Sequence, residues 1–300
     1  MKLFRKIPLI LSLCIISLNG DEPTKISIAK QYQESDENEI RLYEDLILDC
    51  GSNGKANFTI SLPEKIPAEG LPCIIIVGGL ETGRKSLKFI PNHGQYALIA
   101  YEYPPALQAL KKISVVKHII FVRKAMNQVP NQLIDVIHYV REQPWINKEP
   151  ISFMGYSFGS IFIPAIYYKA EEEGIPIGPG VLAYGGAGIY CLAEGCLPFP
   201  TFINKPIARY AAFLFKPMDP IWYASKIKSE FLIINGLYDK QIPSNCAHCL
   251  QQMIPSPKTI INLETGHMNP KNPDLILRII NMSRSWLEEK RKEKYLLIID

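Results

Sequence analysis

The pentapeptide Gly155-Tyr156-Ser157-Phe158-Gly159 constrains this chain more than any other feature. It follows the apolar run Pro150-Ile151-Ser152-Phe153-Met154 and precedes Ser160-Ile161-Phe162, a helix-compatible stretch. The pattern predicts a strand, a sharp turn and a helix, with the serine held in a strained backbone conformation at the strand's end. A side chain at either glycine would push strand and helix apart, so both positions must stay hydrogen-sized. Oγ of Ser157 then points out of the sheet. A serine presented in this way is useful only if other segments bring a base, an orienting acid and backbone donors to the same place.

The surrounding pattern is that of alternating strands and helices. Continuous apolar runs at Cys73–Val77, Tyr96–Tyr101, Ile151–Met154, Val181–Tyr184, Phe231–Ile234 and Thr259–Leu263 read as strands buried on both faces. Between them, Leu133, Val136, Ile137 and Val140 form one face of a helix over Asn131–Gln143. A second stripe, Leu275 to Leu287, opens with Asn272-Pro273 as cap and first-turn proline. Upstream, 40–48 and 55–62 read as an antiparallel pair around the turn Gly51-Ser52-Asn53-Gly54. This order gives an α/β domain over 40–295, a mostly parallel sheet with helices on both faces. Residues 21–39 are polar and read as a linker or mobile leader. Residues 186–225 break the rhythm with Gly, Pro and aromatics, and read as a small cap over the sheet's carboxyl edge. Tyr190, Phe199, Phe202, Tyr210, Phe213 and Trp222 there are the expected apolar lining of a pocket, with packing within the cap as the alternative.

The partners of Ser157 are sought at strand ends. His267, in Glu264-Thr265-Gly266-His267, stands just past the last apolar run, where a base can reach a serine at the top of the sheet. Asp239 follows the run Phe231–Ile234 through Asn235-Gly236-Leu237-Tyr238, and is placed to orient the imidazole. Glu264 is the other nearby acid, but at the end of the same strand it would have to turn back onto the ring. Two N–H donors are needed for a developing oxyanion: Phe158, the residue after the serine, and Leu80, after Gly78-Gly79. Glu81 and Arg84 lie near enough to shape the pocket or to pair at the surface.

Charge and cysteine usage narrow the setting. Lys2, Arg5 and Lys6 precede the apolar run 7–18 and Asn19-Gly20, the parts of a secretory signal over 1–20; an uncleaved anchor is the alternative. Setting those three cations aside from 33 leaves a near balance with 29 acidic residues, so nothing here predicts nucleic-acid binding. Leaving out Cys14, six cysteines remain at 50, 73, 191, 196, 246 and 249. Export favours disulfides, and a bond from the Cys191/Cys196 pair to the Cys246/Cys249 pair would tie the cap to the loop past Asp239. The same four thiols could instead wrap a zinc ion. A thioredoxin-like role for Cys246-Ala247-His248-Cys249 lacks its strand-to-helix context.

Together these residues resemble the α/β-hydrolase superfamily over roughly 40–290, and 135–159, with Gln143-Pro144-Trp145-Ile146, is most similar to its dienelactone-hydrolase and prolyl-oligopeptidase-like branch. The resemblance implies a sheet of about eight strands, a Ser157-Asp239-His267 triad, and no metal or organic cofactor. Gly78-Gly79 stands where many relatives carry His-Gly, and Pro164 falls inside the expected elbow helix. The function expected is that of an exported, carboxylesterase-like serine hydrolase acting on a small-molecule acyl substrate. An acyltransferase or peptidase on the same triad, or a hydrolase-fold protein that only binds, are the alternatives.

Overall fold

A computed structural model describes residues 26–35, 40–111, 115–196 and 200–299; the expected signal segment 1–20 lies outside them. The described residues build one nine-stranded sheet in the order β1-β2-β3-β5-β4-β6-β7-β8-β9. The strands are β1 (Ile26–Ser35), β2 (Ile40–Asp49), β3 (Lys55–Pro63), β4 (Cys73–Val77), β5 (Ala97–Glu102), β6 (Ile151–Tyr156), β7 (Ile177–Ala183), β8 (Phe231–Gly236) and β9 (Lys258–Leu263). β1, β2 and β3 pair antiparallel and join β5 antiparallel; the six strands from β5 to β9 run parallel. The helices are α1 (Val115–Arg141), α2 (Ile163–Glu172), α3 (Ile189–Cys196), α4 (Thr201–Leu214), α5 (Ser244–Met253) and α6 (Pro273–Ile299).

Alternation along the parallel strands divides the core in two. Ile75 and Val77 of β4, with Phe231 and Ile233 of β8, face a cluster closed by α1, α2 and α5. Ile74, Ile76, Leu232 and Ile234 face the opposite cluster, closed by α6 and the 3₁₀ segment Gly83–Phe89. Successive side chains of a strand point to opposite faces, so runs that are apolar throughout serve both layers. α6 starts as its sequence requires: Asn272 Oδ1 accepts from Leu275 N at 3.2 Å, with Pro273 as the first helical residue.

Two expectations are corrected. Residues 26–35 of the supposed leader are β1, in register with β2 from Ile26↔Leu48 to Ser35↔Ile40. The strand lies at the sheet edge and keeps Ile28 half exposed, so its polar residues are solvated and no apolar pattern betrays it. Backbone pairing and the stacked Tyr32 and Tyr43 rings, 5.2 Å apart, hold it instead. The helix expected at 131–143 begins sixteen residues earlier, at Val115, and carries Pro130 in its interior. The proline forfeits one helical hydrogen bond, and burial of Val122, Ala125, Val129 and Leu133 against the sheet offsets that loss.

Candidate active site

Ser157 lies at the carboxyl end of β6 with φ +52°, in the left-handed region that a side chain rarely adopts. A 3₁₀ turn over Ser157–Ile161 leads into α2. The flanking glycines are steric requirements. A Cβ at Gly159 would stand 1.8 Å from Val77 O, and one at Gly155 would stand 2.9 Å from Ser160 Cα and 2.4 Å from Ile163 Cγ1. The turn is therefore pressed onto the end of β4, where Val77 is also in register with Gly155.

The serine Oγ is 2.8 Å from His267 Nε2, and His267 Nδ1 is 2.7 Å from Asp239 Oδ2. The imidazole and carboxylate are 9% and 2% exposed, so water competes little for either bond. Asp239 Oδ1 accepts from the backbone N–H groups of Gln241 at 2.7 Å and Ile242 at 3.0 Å. These two donors fix which carboxylate oxygen is left for the histidine, and no residue type in 239–242 announces them. The acid and base loops are also joined to each other: Leu237 N donates to Leu263 O and Tyr238 N to Thr265 O. The Tyr184 ring meets the imidazole edge-on at 5.6 Å, and its hydroxyl shares a 2.6 Å hydrogen bond with Thr265 Oγ1.

The alternatives among the acids and bases fall elsewhere. Glu264 is exposed, and the Nδ1 partner is Asp239. His93 is buried against Ser61 Oγ and Leu87 O, His138 pairs with Glu173, and His118 and His248 are exposed on helices. Arg84 pairs with Asp45 and Glu102, whereas Glu81 borders the cavity. Cys191 of α3 and Cys246 of α5 form a disulfide, so the four-thiol zinc arrangement is not the one adopted; Cys249 is a free thiol.

Neither a family model nor a curated protein matches this sequence. Solved structures do match in shape. The acetyl xylan esterase from Paenibacillus sp. R4 gives a TM-score of 0.61 at 16% identity, over 87% of this chain and 90% of that one. Acetyl xylan esterase 1 from Thermoanaerobacterium sp. JW/SL YS485 gives 0.55 at 15%, over 86% and 88%. Est1E from Butyrivibrio proteoclasticus gives 0.55 at 15%, over 79% and 95%. The chain has the α/β-hydrolase fold. At such identities the likeness is one of architecture, and the nine-stranded sheet exceeds the expected eight by the edge strand β1.

In this α/β-hydrolase fold the serine opens onto a cavity of about 480 Å³ that Leu80, Phe158 and His267 also border. Its apolar wall departs from expectation. Phe89, Ile90, Met268, Ile276 and Ile280 supply it, from the 3₁₀ segment after β4 and from the β9–α6 side. Among the described residues of 186–225 only Leu192 of α3 reaches the cavity; Tyr190, Phe202, Tyr210, Phe213 and Trp222 do not, and Phe199 lies outside the described residues. Composition alone favoured the aromatic-rich insertion, but Phe202, Tyr210, Phe213 and Trp222 point outward. The loop after β4 is held from behind: Tyr103 Oη donates to Gly78 O at 2.5 Å, and Gly79 O accepts from Thr82 N, Gly83 N and Thr82 Oγ1, each at 3.0 Å.

Proposed function

We propose that the chain is a serine hydrolase that cleaves a carboxylic ester through an acyl-enzyme on Ser157. The hydrogen-bonded series Ser157–His267–Asp239, beginning at a strained serine that faces a cavity, is the observation that carries this reading. His267 Nε2 takes the Oγ proton as Oγ attacks the carbonyl carbon, and Asp239 holds the opposite ring nitrogen as the donor. The tetrahedral oxyanion is received by the N–H groups of Phe158 and Leu80. For Leu80 the support is geometric. Carbonyl and following amide point opposite ways across a trans peptide, and Gly79 O is engaged by the Thr82 turn. The Leu80 N–H is thereby directed away from that turn. Such a donor contributes about 3 kcal/mol in acyl transfer.

Collapse of the intermediate expels the alcohol, protonated by His267, and leaves the acyl group on Oγ. Water, deprotonated by the same nitrogen, then releases the acid and restores the serine. The acyl group lies along Phe89, Ile90, Ile276 and Ile280, a wall suited to a hydrocarbon chain. The acetyl xylan esterases among the structural neighbours support an ester substrate, although an acylaminoacyl peptidase shares the fold as well. The basic and apolar leader directs export, and the Cys191–Cys246 bond suits an oxidising compartment.

A fluorophosphonate probe tests the reading. It labels the intact protein, and Ser157→Ala abolishes the label together with hydrolysis of a series of p-nitrophenyl esters. Folded protein that takes no label and turns over no ester would instead be a binding protein. Acyl transfer to an added alcohol in preference to water would make it a transferase.

A further inference from the structure

Among the described residues the three most exposed large apolar side chains, Ile120, Phe202 and Phe213, lie on two elements that take no part in the cavity. α4 packs Asn204 and Ala208 against the body and turns Phe202, Tyr210 and Phe213 outward, Phe202 and Phe213 at 76% exposure each. On α1, Ile120 and Phe121 stand 77% and 64% exposed, next to the buried Val122 and Ala125. Arg123 Nε donates to Leu214 O at 2.8 Å, so this part of α1 abuts the carboxyl end of α4 and the two exposures adjoin. Scattered apolar side chains on a surface are ordinary, but a cluster of aromatic ones on adjoining elements marks an interaction face.

Charge says what that face meets. No Asp or Glu occurs in 103–134, which carries Lys111, Lys112, Lys117, Arg123 and Lys124, and none occurs in 195–218, which carries Lys205, Arg209 and Lys216. The 29 acidic residues of the chain are thus kept out of both segments. Lys205, Arg209, Lys216 and Lys124 are exposed, and the Lys216 ammonium lies 4.7 Å from the Trp222 ring centroid. A second copy related by a two-fold axis would set these cations against their own images. An ordinary protein interface is depleted in lysine at its centre. Aromatic residues interleaved with cations, and no acid, suit a helix lying in the headgroup region of an anionic bilayer. Among the described residues no helix is long and apolar enough to cross a membrane. The fourteen residues of α4 can lie along the surface instead.

We propose that α4 and the adjoining part of α1 dock the protein on membranes containing anionic phospholipid. Phe202, Tyr210, Phe213, Ile120 and Phe121 enter the acyl boundary, while Lys205, Arg209 and Lys124 meet the phosphates. The face lies apart from Ser157, so docking and ester cleavage can be measured separately.

The test uses the full chain and vesicles of phosphatidylglycerol and phosphatidylcholine with brominated acyl chains, which quench a nearby indole. Phe213→Trp is expected to show quenching beyond that of the parent protein, and the increment is expected to fall in phosphatidylcholine alone and in high salt. Phe202→Ser combined with Phe213→Ser is expected to weaken vesicle binding about tenfold while leaving ester hydrolysis and circular dichroism unchanged. The apolar segment 7–18 can hold the chain to vesicles by itself, which is why the indole at 213 is read directly. No added quenching at 213 in a vesicle-bound protein would overturn the proposal. Equal quenching with neutral lipid would overturn its electrostatic part. A dimer that the serine substitutions dissociate, without vesicle binding, would assign the face to a second copy.

Discussion

Gly159→Ala is the sharpest test of how the serine is held. The added methyl would sit 1.8 Å from Val77 O, 2.5 Å from Val77 C and 2.8 Å from Gly78 O, where contacts under 3.0 Å are essentially never found. All three are backbone atoms at the end of β4, so no rotamer change relieves the overlap. Val77 is paired with Gly155 in the β4–β6 ladder, and Gly78 O is bound by Tyr103. The turn must therefore move off β4 by about 1 Å, and a misplacement of that size costs about 100-fold in rate. Overpacking of this kind also costs about 1–3 kcal/mol, a fall in Tm of a few degrees for a domain of this size. Steady-state kcat/KM with p-nitrophenyl acetate and a thermal melt measure both. Gly79→Ala is the matched control: its methyl would meet Thr82 Oγ1 at 3.7 Å and Ser157 Cβ at 3.9 Å, ordinary contacts, so its Tm should match the parent. A Gly159→Ala protein with parental kcat/KM and Tm would refute the steric argument.

Other outcomes follow from the same geometry. Asp239→Asn keeps its oxygen toward the Gln241 and Ile242 amides and so turns NH₂ toward His267 Nδ1, forcing the proton onto Nε2; kcat should fall about 10⁴-fold with little change in KM, and an unchanged kcat would contradict the tautomer argument. Reducing the Cys191–Cys246 bond reopens a loop of 55 residues, which lowers stability by up to about 4 kcal/mol on chain entropy; urea unfolding with and without a reductant reads this, and identical midpoints would count against it. Arg41 is buried and donates to Ser61 Oγ, Ser61 O, Gly94 O and Tyr96 O. Arg41→Ala leaves these acceptors without their donor and should cost about 2–4 kcal/mol, seen as an earlier denaturant midpoint. Burial pushes the Cys50 thiol up to about 12 and raises that of Cys73 further. Because a raised pKa keeps the proton on sulfur below that value, both should resist iodoacetamide at pH 8 in the native state and react on unfolding, as peptide mass mapping would show.

The parts legible in the sequence were those whose chemistry demands a residue type. Glycines beside Ser157 had to be glycines, and the runs Cys73–Val77 of β4 and Phe231–Ile234 of β8 had to be apolar throughout because two layers pack on them. Asp239 could be placed because it follows such a run, and His267 because it follows a strand; that strand, β9, lies at the sheet edge with Ile260 and Asn262 exposed rather than buried on both faces as expected. β1 was hidden because an edge strand held by backbone bonds needs no apolar alternation. The true cavity wall was hidden for a different reason: Phe89, Ile90, Ile276 and Ile280 come from segments far apart in the chain, and each reads locally as ordinary core. The aromatics of α4 were conspicuous in composition, but composition does not say which side of a helix faces the protein.

The stitching of the acid and base loops has one more consequence. Gly236 is in register with Leu263, and the amides of Leu237 and Tyr238 bind carbonyls of the neighbouring loop. Asp239 and His267 thus follow one hydrogen-bonded pair of strands, and the Ser157 hydroxyl meets them through the bond to Nε2. In the proposed mechanism a covalent adduct on the serine would break that bond and leave the hydrogen bonds within the pair as they were. In the proposed mechanism the ring would then receive the proton of the second, water-borne half of a turnover without any rearrangement of its own support.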